Sequence, residues 1–419
     1  MKWINHTIWW QVYPLGFCGA PIRTGDHSPA PRLRRLYNWL DYIIELGANG
    51  LLLGPVFESE THGYDTTDHY RIDARLGGDE EFDQLISRSH ERGIKVLLDG
   101  VFSHVGYRHP LFQQALADGP DSAAARIFDI DWAADGGPQP RVFEGHGGLV
   151  RLRHDAPETV VFVTDVMNHW LDRGADGWRL DAAYSVPPEF WAKVLAGVRE
   201  KHPDTWILGE VIHGDYPAFV SQSGVDSVTQ YELWKAIWSS LKDENLYELD
   251  WSLKRHNKFL ETFTPNTFIG NHDVTRIASQ VDQQKAVVAA GLLLLLGGIP
   301  SIYAGDEQGF TGVKADTVEG DDAVRPPFPP SPSELLPFGE PVFEAYEALI
   351  GIRRRNPWLV DARVDRLDLD DSQFRICVYA KDGDEFLVLH LEHGGRHLKV
   401  YRGEHDLLWS TYSWSGAIA

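Results

Sequence analysis

Residues 174–183 read Gly-Ala-Asp-Gly-Trp-Arg-Leu-Asp-Ala-Ala, a stretch that predicts a helix end, a turn and a buried strand. Its two glycines break the preceding helix, and Trp178 to Asp181 alternate as strand residues do. Arg179 and Asp181 lie two positions apart, so on a strand they point the same way. A neighbouring cation lowers the pKa of a carboxyl group and keeps it ionised, as a nucleophile requires. A structural ion pair at a strand end explains the same residues, so the rest of the chain must decide.

Apolar runs that suit buried parallel strands recur on both sides of this stretch, and nearly all are followed by a helical pattern. The eight predicted strands are 7–13, 50–53, 94–99, 178–181, 206–210, 225–229, 267–271 and 299–303. The predicted helices are 32–46, 79–92, one opening at 155–157, 188–202, 231–263 with a break, 284–296 and 341–355. This alternation predicts a (β/α)8 TIM barrel.

Two regions depart from the alternation. Glycine and proline clusters from about residue 105 to 156 indicate a small subdomain inserted after the third strand. From residue 357, the short alternating runs 364–369, 374–380, 385–391 and 398–401 indicate an antiparallel β domain. The chain is therefore predicted to comprise a barrel (1–104 and 157–356), an inserted subdomain (105–156) and a C-terminal β domain (357–419).

Composition narrows the functional class. Lys and Arg total 39 against 61 Asp and Glu, a net charge of −22, which argues against nucleic acid or an anionic membrane as a partner. The two cysteines fit neither a disulfide framework nor a metal site. No secretion signal is visible, and the longest apolar run, 286–296, is too short to span a bilayer, so a cytoplasmic location is expected. The 15 tryptophans and 15 tyrosines suit sugar binding, although cores use aromatics too.

Polar side chains follow several predicted strands at their carboxyl ends, where barrel enzymes build their active sites. The third to fifth and the seventh strands contribute Asp99, His104, Arg179, Asp181, Glu210, His272 and Asp273. A carboxyl group held neutral beside ionised neighbours is the acid–base arrangement of glycosidic cleavage. The sequence carries no phosphate-binding loop, serine-hydrolase elbow or zinc-protease motif.

Six segments, in order, resemble the motifs of the α-amylase family of retaining glycoside hydrolases. They are His62-Gly-Tyr-Asp65 with Ile72-Asp73, Asp99-Gly-Val-Phe-Ser-His104, Gly177-Trp-Arg-Leu-Asp-Ala182, Ile207-Leu-Gly-Glu210, Phe268-Ile-Gly-Asn-His-Asp273 and Gly298-Ile-Pro-Ser-Ile-Tyr-Ala-Gly-Asp-Glu307. The resemblance implies that Asp181 is the nucleophile and Glu210 the general acid–base. It implies that Asp273 binds the sugar hydroxyls and favours the distorted sugar ring.

The same resemblance implies a substrate-binding set: Tyr64, Asp65, Asp99, His104, Arg179, His272, Asp321 and Arg325. In the family's pattern the two histidines donate to hydroxyls of the reacting sugar, Tyr64 stacks beneath its ring, and Arg179 holds the nucleophile ionised. The two remaining aspartates near the centre, Asp65 and Asp99, are supporting residues. Asp321 and Arg325 would contact the next sugar inward, although a solvated loop pair explains them nearly as well.

Within the family, Glu210-Val-Ile-His213 and Val225-Asp-Ser-Val-Thr-Gln230 are most similar to the neopullulanase, cyclomaltodextrinase and maltogenic amylase group. The first predicted strand of the barrel already begins at residue 7, so the N-terminal β domain that this group usually carries is not expected here. Ser103 stands where the family often has a calcium-binding asparagine, and residues 149–153 also differ, so no metal or cofactor is expected. Tyr184 and Ser185 stand where many amylases have Lys-His, which predicts an unusual acceptor side.

The sequence thus predicts a retaining α-glucoside hydrolase that cleaves short α-1,4-linked glucans through a covalent glycosyl–enzyme, with some transfer activity. Its partner would be a small oligosaccharide, and the oligomeric state stays open. One alternative is a transferase or isomerase of the trehalose or sucrose type on the same machinery. The other is a non-catalytic carbohydrate-binding protein on this fold, which would normally have lost a carboxylate.

Overall fold

The computed structural model describes residues 2–23, 25–317 and 320–414. The remaining positions of the predicted barrel (Met1, Thr24, Val318 and Glu319) and of the predicted C-terminal domain (415–419) lie outside this description.

Eight parallel strands form one closed sheet. They are β1 (Trp9–Val12), β2 (Gly50–Leu53), β3 (Lys95–Gly100), β4 (Gly177–Leu180), β5 (Trp206–Gly209), β6 (Ser227–Val228), β7 (Asn266–Phe268) and β8 (Ile299–Tyr303). The strand order is β6-β5-β4-β3-β2-β1-β8-β7, and a parallel bridge between Thr229 and Asn266 joins the two ends. This confirms the predicted TIM barrel.

Helices surround the strands. They span Pro14–Phe17, Arg34–Tyr37, Leu40–Glu45, Asp79–Glu91, Pro157–Asp172, Pro188–Lys201, Tyr216–Ser223, Tyr231–Asp243, Tyr247–Phe259, Ile277–Val281, Gln283–Leu295 and Glu340–Arg355. Pro14–Phe17, Tyr216–Ser223 and Ile277–Val281 were not predicted, and the others lie at the predicted places. The helix predicted over 32–46 is interrupted at Asn38 and Trp39, whose side chains donate hydrogen bonds to the carbonyls of Pro330 (3.0 Å) and Pro329 (3.3 Å). Among the described residues, no helix is both long and apolar enough to cross a membrane.

The helix before β4, Pro157–Asp172, shows how the sequence pattern determines the packing. Pro157 occupies its first turn, where a missing N–H costs nothing. Its buried stripe includes Val163, Val166, Met167 and Trp170, at the spacing of one helix face. The stripe packs into the main core and positions β4, which begins at Gly177.

Residues 105–156 contain a helix, Pro110–Asp118, and two small antiparallel pairings, His104–Gly106 with Leu149–Arg151 and Ile130–Asp131 with Gln139–Pro140. Their apolar side chains form a cluster of their own, which includes Val105, Phe112, Phe128, Val150 and Leu152. This region extends from the carboxyl end of β3, on the same side of the barrel as the candidate residues.

The C-terminal part is an antiparallel sheet of five strands: β9 (Arg363–Leu369), β10 (Phe374–Tyr379), β11 (Phe386–Glu392), β12 (His397–Arg402) and β13 (Asp406–Ser410). The last strand was not predicted. Asn257 exchanges two hydrogen bonds with the backbone of Val364, which fixes β9 against the Tyr247–Phe259 helix. The predicted domain boundaries at 104, 156 and 356 stay predictions.

Candidate active site

Arg179 lies at the centre of a carboxylate cluster at the carboxyl ends of the strands. Its side chain is buried, with the residue only 2% exposed. Nη1 donates to both oxygens of Asp99 at 2.7 Å and lies 3.4 Å from Asp181 Oδ1. Nη2 lies 2.7 Å from Glu210 Oε1. One guanidinium therefore gathers three carboxylates from β3, β4 and the end of β5.

The charge balance of this cluster leaves Asp181 poorly neutralised. Burial raises its pKa well above the usual range, Glu210 raises it further, and Arg179 opposes both without outweighing them. Arg179 lowers the pKa of Asp181, as the sequence predicts, but burial and Glu210 together raise it by more. The guanidinium is shared by three carboxylates, and its longest contact is the one to Asp181. Burial likewise raises the pKa of Asp99.

Glu210 is fixed by two further donors. The backbone N–H of Ala182 donates to Oε2 at 2.9 Å, from a residue whose φ of +43° lies in the left-handed region. The Tyr231 hydroxyl donates to Oε1 at 3.1 Å, and Asn271 Nδ2 donates to that hydroxyl at 2.9 Å. Sequence reasoning missed Tyr231, although it follows closely on β6 and so lies at the carboxyl end of a barrel strand.

Asp273 is held by two cationic or donor groups. Arg325 Nη2 lies 2.6 Å from Oδ1, and His272 Nε2 lies 3.0 Å from Oδ2. Although burial pushes the pKa of Asp273 upward, His272 and Arg325 outweigh it and hold that pKa well below its usual range. Asp273 is therefore the strongly ionised carboxylate of the site. Arg325 is itself buried, which excludes the alternative of a solvated loop pair for this residue.

Aromatic rings form one wall of the site. The His272 ring is nearly parallel to the rings of Tyr13 and Tyr64, whose centres lie 6.1 and 5.6 Å away. The Tyr64 hydroxyl donates to Asp99 at 3.2 Å and also contacts His272 Nε2. The structure thus brings the predicted residues Tyr64, Asp99 and His272 together with Arg325, whose guanidinium lies 4.7 Å from the Tyr13 ring centre.

Three other predicted residues have polar partners outside the carboxylate cluster on Arg179. The ring nitrogens of His104 contact the Ser103 hydroxyl (2.7 Å) and the Tyr64 carbonyl (2.9 Å), and burial lowers its pKa to about 4. Asp65 accepts hydrogen bonds from the backbone N–H and the hydroxyl of Thr61. Asp321 forms ion pairs with Arg325 (3.0 Å) and Lys314 (3.1 Å).

Ser103, the position where the resemblance implies a calcium-binding asparagine in many relatives, already has polar partners. The Ser103 hydroxyl contacts His104, and its carbonyl accepts from Leu152. Within the described ranges, one group has the spacing of a metal site: His27, Glu58 and Asp73. Both oxygens of Asp73 already accept from the Arg75 guanidinium, at 2.8 and 2.6 Å. This carboxylate is therefore committed to an ion pair.

Tyr184, where the sequence predicts an unusual acceptor side, contacts a residue of the 105–156 region. The Tyr184 hydroxyl donates to Glu144 Oε1 at 2.8 Å, and the ring lies 5.7 Å from that of His213. Glu144 comes from the 105–156 region and has a φ of +46°, an unusual conformation for a residue with a side chain. No sequence signal indicated Glu144, because it lies in an irregular loop.

A closed barrel with convergent carboxylates at its carboxyl end defines a class of TIM-barrel enzyme. The family model described as "Alpha amylase, catalytic domain" matches residues 11–140 and 132–328. The chain therefore belongs to the α-amylase family and is a glycoside hydrolase.

Relatives carry the names that the sequence motifs predicted. The chain is 30% identical to a cyclomaltodextrinase of Geobacillus thermopakistaniensis, covering 92% of this chain and 68% of the relative. It is 30% identical to a maltogenic α-amylase of Bacillus acidopullulyticus, covering 74% of this chain and 57% of the relative. The solved cyclic α-maltosyl-(1→6)-maltose hydrolase of Arthrobacter globiformis, in its ligand-free form, is 25% identical with a TM-score of 0.79, covering 94% and 92% of the two chains.

Proposed function

We propose that this enzyme is a retaining α-glucoside hydrolase that cleaves short α-1,4-linked glucans through a covalent glycosyl–enzyme. The observation that carries the proposal is the meeting of Asp181 and Glu210 on the guanidinium of Arg179. Two carboxyl groups flanking one site are the machinery of glycosidic cleavage. The names cyclomaltodextrinase and maltogenic α-amylase, carried by relatives, favour short α-1,4-linked glucans as substrates.

In the first step, an oxygen of Asp181 attacks C1 of the reacting sugar. The bond from C1 to the glycosidic oxygen breaks, and that oxygen keeps the electron pair and takes a proton from Glu210. In the second step, water gives a proton to Glu210 and attacks C1, which releases Asp181. Two displacements at C1 retain the anomeric configuration.

The surrounding residues orient the sugar. Asp273, which Arg325 and His272 keep ionised, accepts hydrogen bonds from sugar hydroxyls and favours the distorted ring. Tyr64 offers an aromatic face for stacking beside them. Donors that are already in place at Glu210 need no reorganisation when the substrate arrives.

The test is a time course of products from maltooligosaccharides, cyclodextrins and disaccharides, with the anomer of the first product recorded by NMR. The α-anomer is expected first. Asp181→Asn and Glu210→Gln should each lower kcat about 1,000-fold or more. Asp172→Asn, at an exposed aspartate on the helix before β4, is the matched control. The β-anomer first, or near-normal turnover by either active-site variant, contradicts the proposal.

A second candidate is a transferase or isomerase reaction, which the contact between Tyr184 and Glu144 favours. Together with His213 these residues offer an aromatic face, a carboxylate and an imidazole that could hold an acceptor sugar. Transfer products that accumulate alongside glucose support a mixed activity. A rearranged disaccharide formed from maltose or sucrose without free glucose supports the isomerase and contradicts hydrolysis as the main reaction.

We also propose that the enzyme acts in the cytoplasm without a bound metal ion or a nucleic-acid partner. The net charge of −22 opposes binding to nucleic acid. A relative from Bacillus subtilis, 27% identical over 74% of this chain, is named intracellular maltogenic amylase. The commitment of Ser103 to its neighbours supports catalysis without calcium.

A further inference from the structure

A groove of about 350 Å³ lies beside the catalytic cluster, between the loop after β5 and the two helices that follow β6. Its apolar floor is formed by Ile212, Tyr231, Trp234 and Trp251. Trp251 is 59% exposed, which is unusual for the largest apolar side chain. The volume lies within the range of small-molecule sites.

The groove and the catalytic cluster share one residue, Tyr231. Tyr231 lines it and also donates its hydroxyl to Glu210 at 3.1 Å. Ile212 lies two residues after Glu210 and is 40% exposed. A molecule in the groove would therefore contact the residue whose hydroxyl binds Glu210.

The charges around the groove are neutralised in pairs. Arg255 donates to both oxygens of Glu232, at 2.7 and 2.9 Å. Lys235 pairs with Glu248, whose other oxygen accepts from the Ser239 hydroxyl at 2.7 Å. Paired charges leave polar groups for hydrogen bonds and little net field, which suits a neutral polar ligand better than an ion.

The orientation of Trp251 is also set in advance. The Arg255 guanidinium lies 5.2 Å from the Trp251 ring centre, a cation–π contact, while the ion pair with Glu232 fixes the guanidinium. A ring held in place loses less side-chain entropy when a flat ligand stacks on it. Sugars are ligands of this kind, because their C–H groups form an apolar face that stacks on an aromatic ring. Their hydroxyls can bind the paired polar side chains around the groove.

From these observations we propose that the groove binds the part of an α-glucan chain that extends beyond the reacting sugars. The proposal rests on the proposed function, because the glucan is the substrate whose chain would leave the catalytic site along Tyr231. Trp251 provides the stacking platform. The groove is thus a chain-length selector for longer oligosaccharides.

The experiment measures kcat/KM over the series from maltotriose to maltoheptaose. Trp251→Ala should lower the value for maltoheptaose about 3- to 10-fold more than the value for maltotriose. Trp251→Phe, which keeps an aromatic face, should restore most of the preference. Phe338→Ala removes an aromatic side chain that is 56% exposed and lies outside the groove, so it should leave the ratio unchanged. An equal loss for all chain lengths, or the same change with Phe338→Ala, overturns the proposal.

Direct binding separates this proposal from the proposed function. Maltoheptaose is titrated calorimetrically into the Asp181→Asn protein with and without Trp251→Ala. Weaker binding in the double variant supports the groove even if the enzyme hydrolyses none of the α-glucans, a result that would overturn the proposed function alone. Equal affinities overturn the groove. A shift from dimer to monomer on Trp251→Ala, seen by sedimentation, also overturns it, because the groove would then bind a second copy.

Discussion

The Tyr231 hydroxyl donates a hydrogen bond to Glu210 Oε1 over 3.1 Å and accepts one from Asn271 Nδ2 over 2.9 Å. Tyr231 is buried, so the hydroxyl has a fixed position at the general acid–base. The contact links the end of β6 to the end of β5, on the side of Glu210 where Arg179 also binds. It therefore orients the carboxyl group that must meet the glycosidic oxygen.

Tyr231→Phe removes this hydrogen bond and keeps the ring packing against Phe268. We expect kcat/KM to fall about 10- to 150-fold, since a hydrogen bond to a charged group contributes roughly 1.5–3 kcal/mol. The measurement is steady-state kinetics on maltotriose. Tyr37→Phe is the control, because the Tyr37 hydroxyl donates to the Glu81 carbonyl, remote from the carboxylates. Unchanged kinetics for Tyr231→Phe would show that Arg179 and Ala182 alone orient Glu210.

Asp181→Asn should make the folded protein more stable at pH 7 while it abolishes turnover. Burial and Glu210 raise the folded-state pKa of Asp181, so its ionised form costs stability above the unfolded pKa of about 3.9. The thermal midpoint of the variant should therefore exceed that of the wild type at pH 7. The gain should shrink as the pH falls towards and below the unfolded pKa of about 3.9, where the carboxyl group becomes protonated in both states. A midpoint at pH 7 equal to or below the wild type contradicts this charge balance.

Glu307 predicts a second pH effect, in the core. It accepts from Trp10 Nε1 (3.3 Å), the Tyr42 hydroxyl (2.9 Å) and the Gly305 N–H (2.9 Å), and burial raises its pKa to about 7. The folded state therefore holds a proton that the unfolded state has released above its pKa of about 4.3. The free energy of unfolding should fall by about 3 kcal/mol as the pH rises from 4.5 through 7.

The comparison variant is Glu307→Gln, which cannot titrate. Denaturant midpoints measured from pH 4.5 to 8 should converge or cross, because only the wild type loses this contribution. Parallel curves for the two proteins would contradict the raised pKa of Glu307.

Chelation should leave the enzyme active. The donors at Ser103 and Asp73 are committed to His104 and Arg75, so we expect no change in kcat or thermal midpoint after dialysis against EDTA. Activity that disappears on dialysis and returns with Ca²⁺ would show a site that these residues do not form.

The sequence was sufficient to predict the residues that follow directly on the carboxyl ends of the strands. Asp181 and Glu210 were found because apolar strands ending in carboxylates place them at the same edge of a barrel. The motifs then identified the family. What the pattern could not supply is how one cation is shared: the preference of Arg179 for Asp99 and Glu210 over Asp181 depends on distances in three dimensions.

Two other features escaped for different physical reasons. Tyr231 begins the helix predicted over 231–263, and a helical pattern does not indicate contact with Glu210. Glu144 lies in an irregular loop without periodicity, so nothing in the sequence indicated its approach to Tyr184. Side chains from loops and helix starts form contacts that depend on tertiary folding, and local sequence does not determine them.

One bridge, from Thr229 to Asn266, joins β6 to β7, and the Gln230 amide donates to the Asn266 carbonyl at 2.8 Å. Every other pair of neighbouring strands in the cylinder shares a longer ladder. We therefore expect local opening of the barrel to be most frequent at this seam. The backbone N–H of Gln230 should exchange its hydrogen before the backbone N–H groups of strands with longer ladders. Tyr231 is the next residue in the chain. Opening of the seam would therefore move its hydroxyl away from Glu210 and limit the fraction of time for which the hydrogen bond to the general acid is formed.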